Sequence, residues 1–330
     1  MKIGIDAMGG DKAPRCVVEG AVLAVKEYGY SLVLVGDEEK IKGHLQTFSY
    51  PQDKIEIANA SQAIEMHEPA ALSVRKKRES SIVKGMELLK RGEFEAFVSA
   101  GNTGAVVCAA TLSLRLLPGV DRPGIAVIFP TLDKPCMVID VGANIDPKPL
   151  HLLQYGIMGD AYSKHILDKI NPVIGLLNIG EESTKGTDFI KEAHTMLRES
   201  KLNFIGNIEP REVYQGKADV VLCDGFIGNV MLKVTEGFAD AAVLLLKREL
   251  KKSNLLTKFG AFLTLPAFMT IKKKTDATEY GGAPLMGVDG NVIIAHGSSN
   301  AKAIKNAIRV AAENVTHKVN AHVVEELQSY

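Results

Sequence analysis

The sequence predicts an α/β fold of the doubly wound kind, a mostly parallel sheet in an α/β/α sandwich. Three observations predict it. Short apolar runs alternate with longer helical stretches along the whole 330 residues, which is the strand–helix–strand pattern of a covered parallel sheet. Most of these runs stop at a glycine beside a short polar residue, the chemistry of a strand-to-helix turn. No repeat, low-complexity block or flexible linker divides the chain, so a single domain over 1–330 is expected.

The elements follow in order. Residues 2–5 form a first strand, and Asp6-Ala-Met-Gly-Gly-Asp11 is a turn before a helix opening near Pro14, a residue suited to a first helical turn. Strands follow at 31–35 and 54–58. Residues 60–81 show no period and carry Arg75-Lys76-Lys77-Arg78, which reads as a solvated face or as a dock for an acidic partner. A helix over 81–91 leads to a strand at 96–98. Its end, Ser99-Ala-Gly101-Asn102-Thr103-Gly104, runs into a helix of small apolar residues. Strands at 124–129 and 137–140 come next, the second closing in Asp140-Val-Gly-Ala-Asn144. A helix over 149–170 precedes a strand at 173–177, which ends in a loop from Asn178 through Gly180 to Lys185-Gly186. After a helix at 188–199 and a strand at 203–205, the strand at 219–223 ends in Asp224-Gly-Phe-Ile-Gly-Asn229 before a helix to about 250. A strand at 292–295, the turn His296-Gly-Ser298-Ser299 and a helix to about 327 complete the chain.

Composition narrows the function. With 46% hydrophobic and 24% charged residues the chain is an ordinary globular one, and 39 basic against 39 acidic residues leave no excess for nucleic acid. Cys16, Cys108, Cys136 and Cys223 stand apart in apolar settings and read as reduced core residues of a cytoplasmic protein. With a strand beginning at Lys2, no secretory leader is expected.

Six strand ends carry the chemistry. In a parallel sheet they share one edge, so Asp6, Asn102, Thr103, Asn144, Lys185, Asn229, His296 and Ser298 are expected to converge with many backbone amides. Glycine lets a ligand approach the backbone, and a helix start aims unpaired N–H groups at it, so each turn is an uncharged anion cradle. An ordinary well-capped turn explains any one of them; several together favour a site. The set suits binding an oxyanion and steadying a tetrahedral one. It contains no Ser-His-Asp order, HExxH helix, phosphate loop or dinucleotide glycine pattern. Asp6, Asp11, Asp140 and Asp224 are better explained as turn residues than as a metal cluster, and no metal or cofactor is expected.

The segments I-D-A-M-G-G-D-x-A-P (5–14), S-A-G-N-T-G-A (99–105), D-V-G-A-N (140–144), L-L-N-I-G-x-E (176–182), D-G-F-x-G-N (224–229), Y-G-G-A-x-L-x-G (280–287) and A-H-G-S-S (295–299) closely resemble, in the same order, the bacterial phosphate acyltransferases of phospholipid synthesis. The resemblance implies transfer of a long-chain acyl group from acyl carrier protein to inorganic phosphate. It also implies a Rossmann-like fold similar to phosphotransacetylases and isopropylmalate dehydrogenases, a homodimer and peripheral association with the membrane. From the residues themselves, Gly101, Asn102, Thr103, Gly104 and Lys185 are expected to bind phosphate, with Asn229 or His296 a donor to the oxyanion and His296 a candidate proton source for the departing thiol; the resemblance does not assign these roles. A short-chain acyl-coenzyme A phosphotransacetylase and a metal- and nicotinamide-dependent hydroxyacid dehydrogenase are the alternatives. The second lacks a convincing carboxylate cluster or adenine loop.

Residues 247–280 are expected to project as an amphipathic helical segment. Lysines bracket an apolar centre that includes Leu255, Phe259, Phe262 and Ile271, and Gly260 and Pro266 divide it into two short helices suited to an anionic membrane surface. Packing on the core or sealing a dimer are the other ways to cover it.

Overall fold

Strand direction, which a sequence does not carry, decides what this sheet brings together. The computed structural model describes residues 1–275 and 277–330, and the side chains outside 271–277. The strands are β1 (Lys2–Asp6), β2 (Ser31–Gly36), β3 (Ile55–Asn59), β4 (Ala96–Ser99), β5 (Gly124–Phe129), β6 (Cys136–Ile139), β7 (Ile174–Leu177), β8 (Phe204–Ile208), β9 (Val220–Leu222), β10 (Ala283–Met286) and β11 (Asn291–Ile294). They form one eleven-stranded sheet in the order β3-β2-β1-β4-β11-β10-β5-β6-β9-β7-β8. The block β3-β2-β1-β4-β11 is parallel throughout. β10 runs against both β11 and β5, and β5 runs against β6. The block β6-β9-β7-β8 is parallel again. Three antiparallel pairings in succession leave the second block pointing opposite to the first.

β10 is the element the sequence does not predict. A-P-L-M neither alternates nor carries a β-branched residue, and Pro284 has no N–H for a ladder. Its neighbours on both sides make it a strand.

Alternation along the strands sorts the core into two faces. Val33, Val35, Phe97, Val138 and Val221 point into a cluster that crosses both blocks and holds Ala105, Val106, Ala109 and Ala110 of the helix Thr103–Leu114. On the other face, Leu32, Leu34, Ala96 and Val98 pack under the helices Arg15–Tyr28 and Ala301–Thr316. There too, Met137, Ile139, Val220 and Leu222 pack under Pro149–Ile166. The α/β/α architecture follows the expectation, with local departures. The helix predicted to 170 stops at Ile166, and residues 60–81 contain the helix Ala70–Lys76. The terminal helix is two, Ala301–Thr316 and Val319–Gln328, parted at Lys318 with its φ of 50°.

The helix Gly225–Lys252 and the helix Leu255–Thr275 form the projecting hairpin, and the exposed stretch starts near Gly237, earlier than expected. The hinge expected at 260–266 is not there. Pro266 lies inside one continuous helix, and the chain turns instead at Ser253 and Asn254. The Thr264 hydroxyl donates to carbonyls of the preceding turn, Gly260 and Ala261, just before the proline. Leu255 is 85% exposed, Phe259 60% and Phe262 68%, so none of them folds back on the core. The side chain of Ile271 lies outside the described residues.

Candidate active site

The ends of β1, β4 and β11 are adjacent, and their three turns meet. β4 and β11 run in register, Ile294 beside Ser99, so 296–298 leaves the sheet alongside 101–103. The Asp11 N–H donates to the Gly297 carbonyl at 2.8 Å, closing the first turn onto the third. A Cβ at Gly9 would stand 2.6 Å from the Gly101 nitrogen and 2.5 Å from Oδ2 of Asp6, so only glycine permits this approach.

Two side chains expected at the ligand are used to build the turns. Asp6 is 1% exposed. Its Oδ1 accepts from the Met8 N–H at 3.1 Å, its Oδ2 accepts from Ser99 Oγ at 2.7 Å, and Ser81 adds a further hydrogen bond. Burial raises its pKa from the ordinary carboxylate value, and these donors oppose the rise. Asp6 therefore holds the cradle together. Asn102 is the N-cap of Thr103–Leu114: its Oδ1 accepts from the Ala105 N–H at 3.0 Å. Its Nδ2 donates to the carbonyls of Glu65, Met66 and Glu68, which pins that segment beside the turn. Ser81 and the 65–68 carbonyls are partners that no local motif announces.

What remains open to a ligand is backbone and two side chains. The helix leaves its first N–H groups without intrahelical acceptors, and Asn102 takes those of Ala105 and Val106. The N–H groups of Thr103 and Gly104, both exposed residues, have no acceptor among the described residues, and the Thr103 side chain is exposed with them. His296 is exposed beside them. Its Nδ1 accepts from the Ser298 N–H at 3.2 Å and lies 2.8 Å from Ser298 Oγ. With Nδ1 so engaged, this hydrogen-bond pattern assigns the proton of a neutral ring to Nε2. Ser298 positions the imidazole; Nε2–H is free to donate.

The expected six-way convergence does not occur. The turns after β6, β7 and β9 leave the opposite edge because the second block is reversed. Asn144 lies there, with Nδ2 donating to Tyr155 Oη and the Pro123 carbonyl, and so does Asn229 beside Gly142. Asp140 gathers the amides of Ile125, Gly142, Ala143 and Asn144 and, like Asp6, has its pKa raised by burial. Lys185 sits in the loop after β7, exposed and without an ion pair among the described residues. Within one chain it is not joined to Gly101–Gly104. The four aspartates weighed as metal ligands are likewise divided, Asp6 and Asp11 from Asp140 and Asp224.

The fold is shared with acyl-transferring enzymes. A phosphotransacetylase from Streptococcus pyogenes superposes with a TM-score of 0.66 at 17% identity, covering 96% of this chain and 94% of its own. A 4-hydroxythreonine-4-phosphate dehydrogenase from Klebsiella pneumoniae gives 0.56 at 13% identity, with 96% and 97% covered. At sequence level the relation is far nearer. Residues 1–322 match the family described as fatty acid synthesis protein. The phosphate acyltransferase of Geotalea daltonii is 50% identical over 328 residues, 99% of this chain and 94% of the relative. That of Dictyoglomus turgidum is 49% identical over 329 residues, 99% and 98%. The chain belongs to this fatty acid synthesis family and is an acyltransferase.

Proposed function

We propose that the protein transfers a long-chain acyl group from acyl carrier protein to inorganic phosphate, giving acyl phosphate for phospholipid synthesis. The observation that carries this reading is the pairing of unsatisfied helix-start N–H groups at Thr103 and Gly104 with an exposed imidazole donor, His296, on adjacent strand ends. Phosphate at neutral pH already bears negative charge and needs positioning more than deprotonation. Seated on those amides, it attacks the thioester carbonyl; a C–O bond forms as the C–S bond breaks. The Nε2–H of His296 supports the oxyanion, and the departing thiolate takes up the proton that hydrogen phosphate gives up as the new C–O bond forms. Incubation with palmitoyl-acyl carrier protein and phosphate should release acyl phosphate and free thiol together. Product formed only from a short acyl-coenzyme A would favour the phosphotransacetylase reading.

The donor protein docks, on this reading, over the helix Ala70–Lys76. Asn102 ties the segment just before that helix to the cradle, and Leu72 is 50% exposed there beside Arg75, Lys76 and Arg78. Lys77 is not available, since it pairs with Glu68 and donates to the Ala63 carbonyl. Replacing Arg75, Lys76 and Arg78 by Glu is expected to raise KM for the acyl-protein severalfold, an effect that shrinks with salt, and to leave KM for phosphate unchanged. A rise in the phosphate KM alone would reject the surface.

The hairpin is the membrane contact of this reading. No helix of the described residues is long and apolar enough to cross a bilayer, yet its leucines and phenylalanines stand in solvent among lysines. The pattern suits an interfacial helix on anionic lipid, where a long-chain product leaves the enzyme without entering water. Leu255→Ser, Phe259→Ser and Phe262→Ser together should abolish co-sedimentation with anionic vesicles and spare acyl transfer in solution. Unchanged sedimentation would assign these residues to the seam of a homodimer.

A further inference from the structure

On the sheet edge away from the cradle, a cavity of ≈ 500 Å³ opens between the loop after β7 and the helix Asp188–Glu199. Ser183 and Thr184 wall it from the loop, and Lys191, His194, Thr195 and Arg198 from the helix. The spacing 191, 194, 195, 198 puts those four side chains on one helical face. The volume falls within the range of about 300–1,000 Å³ usual for small-molecule sites.

His194 is the residue that asks for a ligand. It is 9% exposed and meets Phe204 edge-on, with ring centroids 5.2 Å apart. Among the described residues neither of its ring nitrogens has a hydrogen-bond partner. The other buried imidazole, His151, accepts from the Lys148 N–H at 2.9 Å. Its ring nitrogens are not among the fully buried unpaired atoms, so on the cavity wall they open to solvent and are available to a ligand there. Burial, with Arg198 nearby, holds His194 below the usual imidazole range, so the ring is neutral and offers one N–H. One fully buried unpaired acceptor lies beneath the same loop. Asn207 is 4% exposed; its Nδ2 donates to the Glu182 carbonyl at 2.9 Å, and its Oδ1 has no partner.

Charge and shape select the ligand class. Lys191 and Arg198 outweigh Glu199, and the contact of Lys191 with Asp188 is long at 3.4 Å and exposed. Donors approach from two walls, which matches the oxygens of a tetrahedral anion better than a flat carboxylate taken by one guanidinium. The cavity exceeds a bare phosphate ion, and Glu199 offers an acceptor for a hydroxyl on the remainder. We propose that this cavity binds the phosphoryl group of a small phosphomonoester. Lys191 and Arg198 take its charge, and the loop hydroxyls and the His194 N–H donate to its oxygens. Ser183 and Thr184 directly precede Lys185, so an occupied cavity fixes the loop that carries that lysine.

The proposal stands apart from the acyl-transfer reading, and its test keeps the two separate. β-Glycerophosphate is titrated into the full chain by calorimetry, with the imidazole nitrogen shifts followed in parallel; inorganic phosphate is avoided as the substrate of the cradle. Saturable binding is expected, with the His194 nitrogens moving. Lys191→Gln with Arg198→Gln should weaken it at least about tenfold, since two charge-assisted contacts are lost. Gly9→Ala, which disturbs only the cradle, should leave it unchanged. The proposal is overturned by absence of saturable binding, by binding that survives the double variant or is lost in Gly9→Ala, or by acetate binding as tightly.

Discussion

His296→Ala lowers turnover about a hundredfold at saturating phosphate and donor and leaves the fold intact. Removing one oxyanion donor costs about 10²–10³ in turnover, and a thiolate leaves readily enough to keep this case near the lower end. The side chain is exposed, and among the described residues its only hydrogen-bond partner is Ser298, two residues away, so removing it empties no core space. His296→Gln tests which task the ring performs. A glutamine amide donates a hydrogen bond to an oxyanion but delivers no proton to sulfur. Recovery of most of the lost rate by glutamine assigns oxyanion support; a rate as low as that of alanine assigns proton delivery. Turnover of His296→Ala within about threefold of the parent would remove the imidazole from the mechanism. Ser298→Ala, which frees Nδ1, should produce a smaller loss because the ring remains and only its orientation relaxes.

The sequence carried the elements of this site well and their arrangement poorly. Glycine beside a short polar residue marks a strand end, and the structure has a turn at each such place. Strand direction has no comparable mark. β10 is four residues with a proline in second place, and the reversal it begins turns β6, β7 and β9 around. Asn144, Lys185 and Asn229 therefore leave from the edge opposite Gly101–Gly104, although all six turns look alike in sequence. Hydrogen-bond capacity was the second illegible quantity. Asp6 and Asn102 sit where a ligand-binding side chain belongs, but an acid ringed by Ser81, Ser99 and the Met8 amide is committed to holding the turn. So is an amide that caps a helix and holds three carbonyls. Those partners lie up to 93 positions away in the chain, beyond any local pattern. Pro266 shows the reverse case, a local rule overruled, because an exposed helix in a hairpin continues through the residue expected to break it.

Gly9→Ala is expected to reduce kcat/KM for phosphate about a hundredfold or more while costing only modest stability. The added Cβ would lie 2.5 Å from Asp6 Oδ2 and 2.6 Å from the Gly101 nitrogen. Neither neighbour is the far end of a flexible side chain. Asp6 is buried and held by Ser99 and the Met8 amide, and Gly101 is backbone whose N–H donates to Ser99 Oγ at 3.1 Å. Relief must come from the turn itself, by a shift of about an ångström, and a misplacement of that size at a reacting centre costs about 10²-fold. The strain of an extra methyl in a packed place is about 1–3 kcal/mol, which a chain with a core on both sheet faces tolerates. The loss should appear in kcat/KM for phosphate, because the displaced turn borders the Thr103 and Gly104 amides. Saturating phosphate should recover part of it. Ser99→Ala acts on the same support from the other side, removing the donor to Asp6 and the acceptor of the Gly101 N–H. The two substitutions share partners, so their effects should fall well short of additive. Full activity in Gly9→Ala, with an unchanged melting temperature, would mean that the turn yields without disturbing the cradle, and the seat for phosphate would then have to be sought elsewhere.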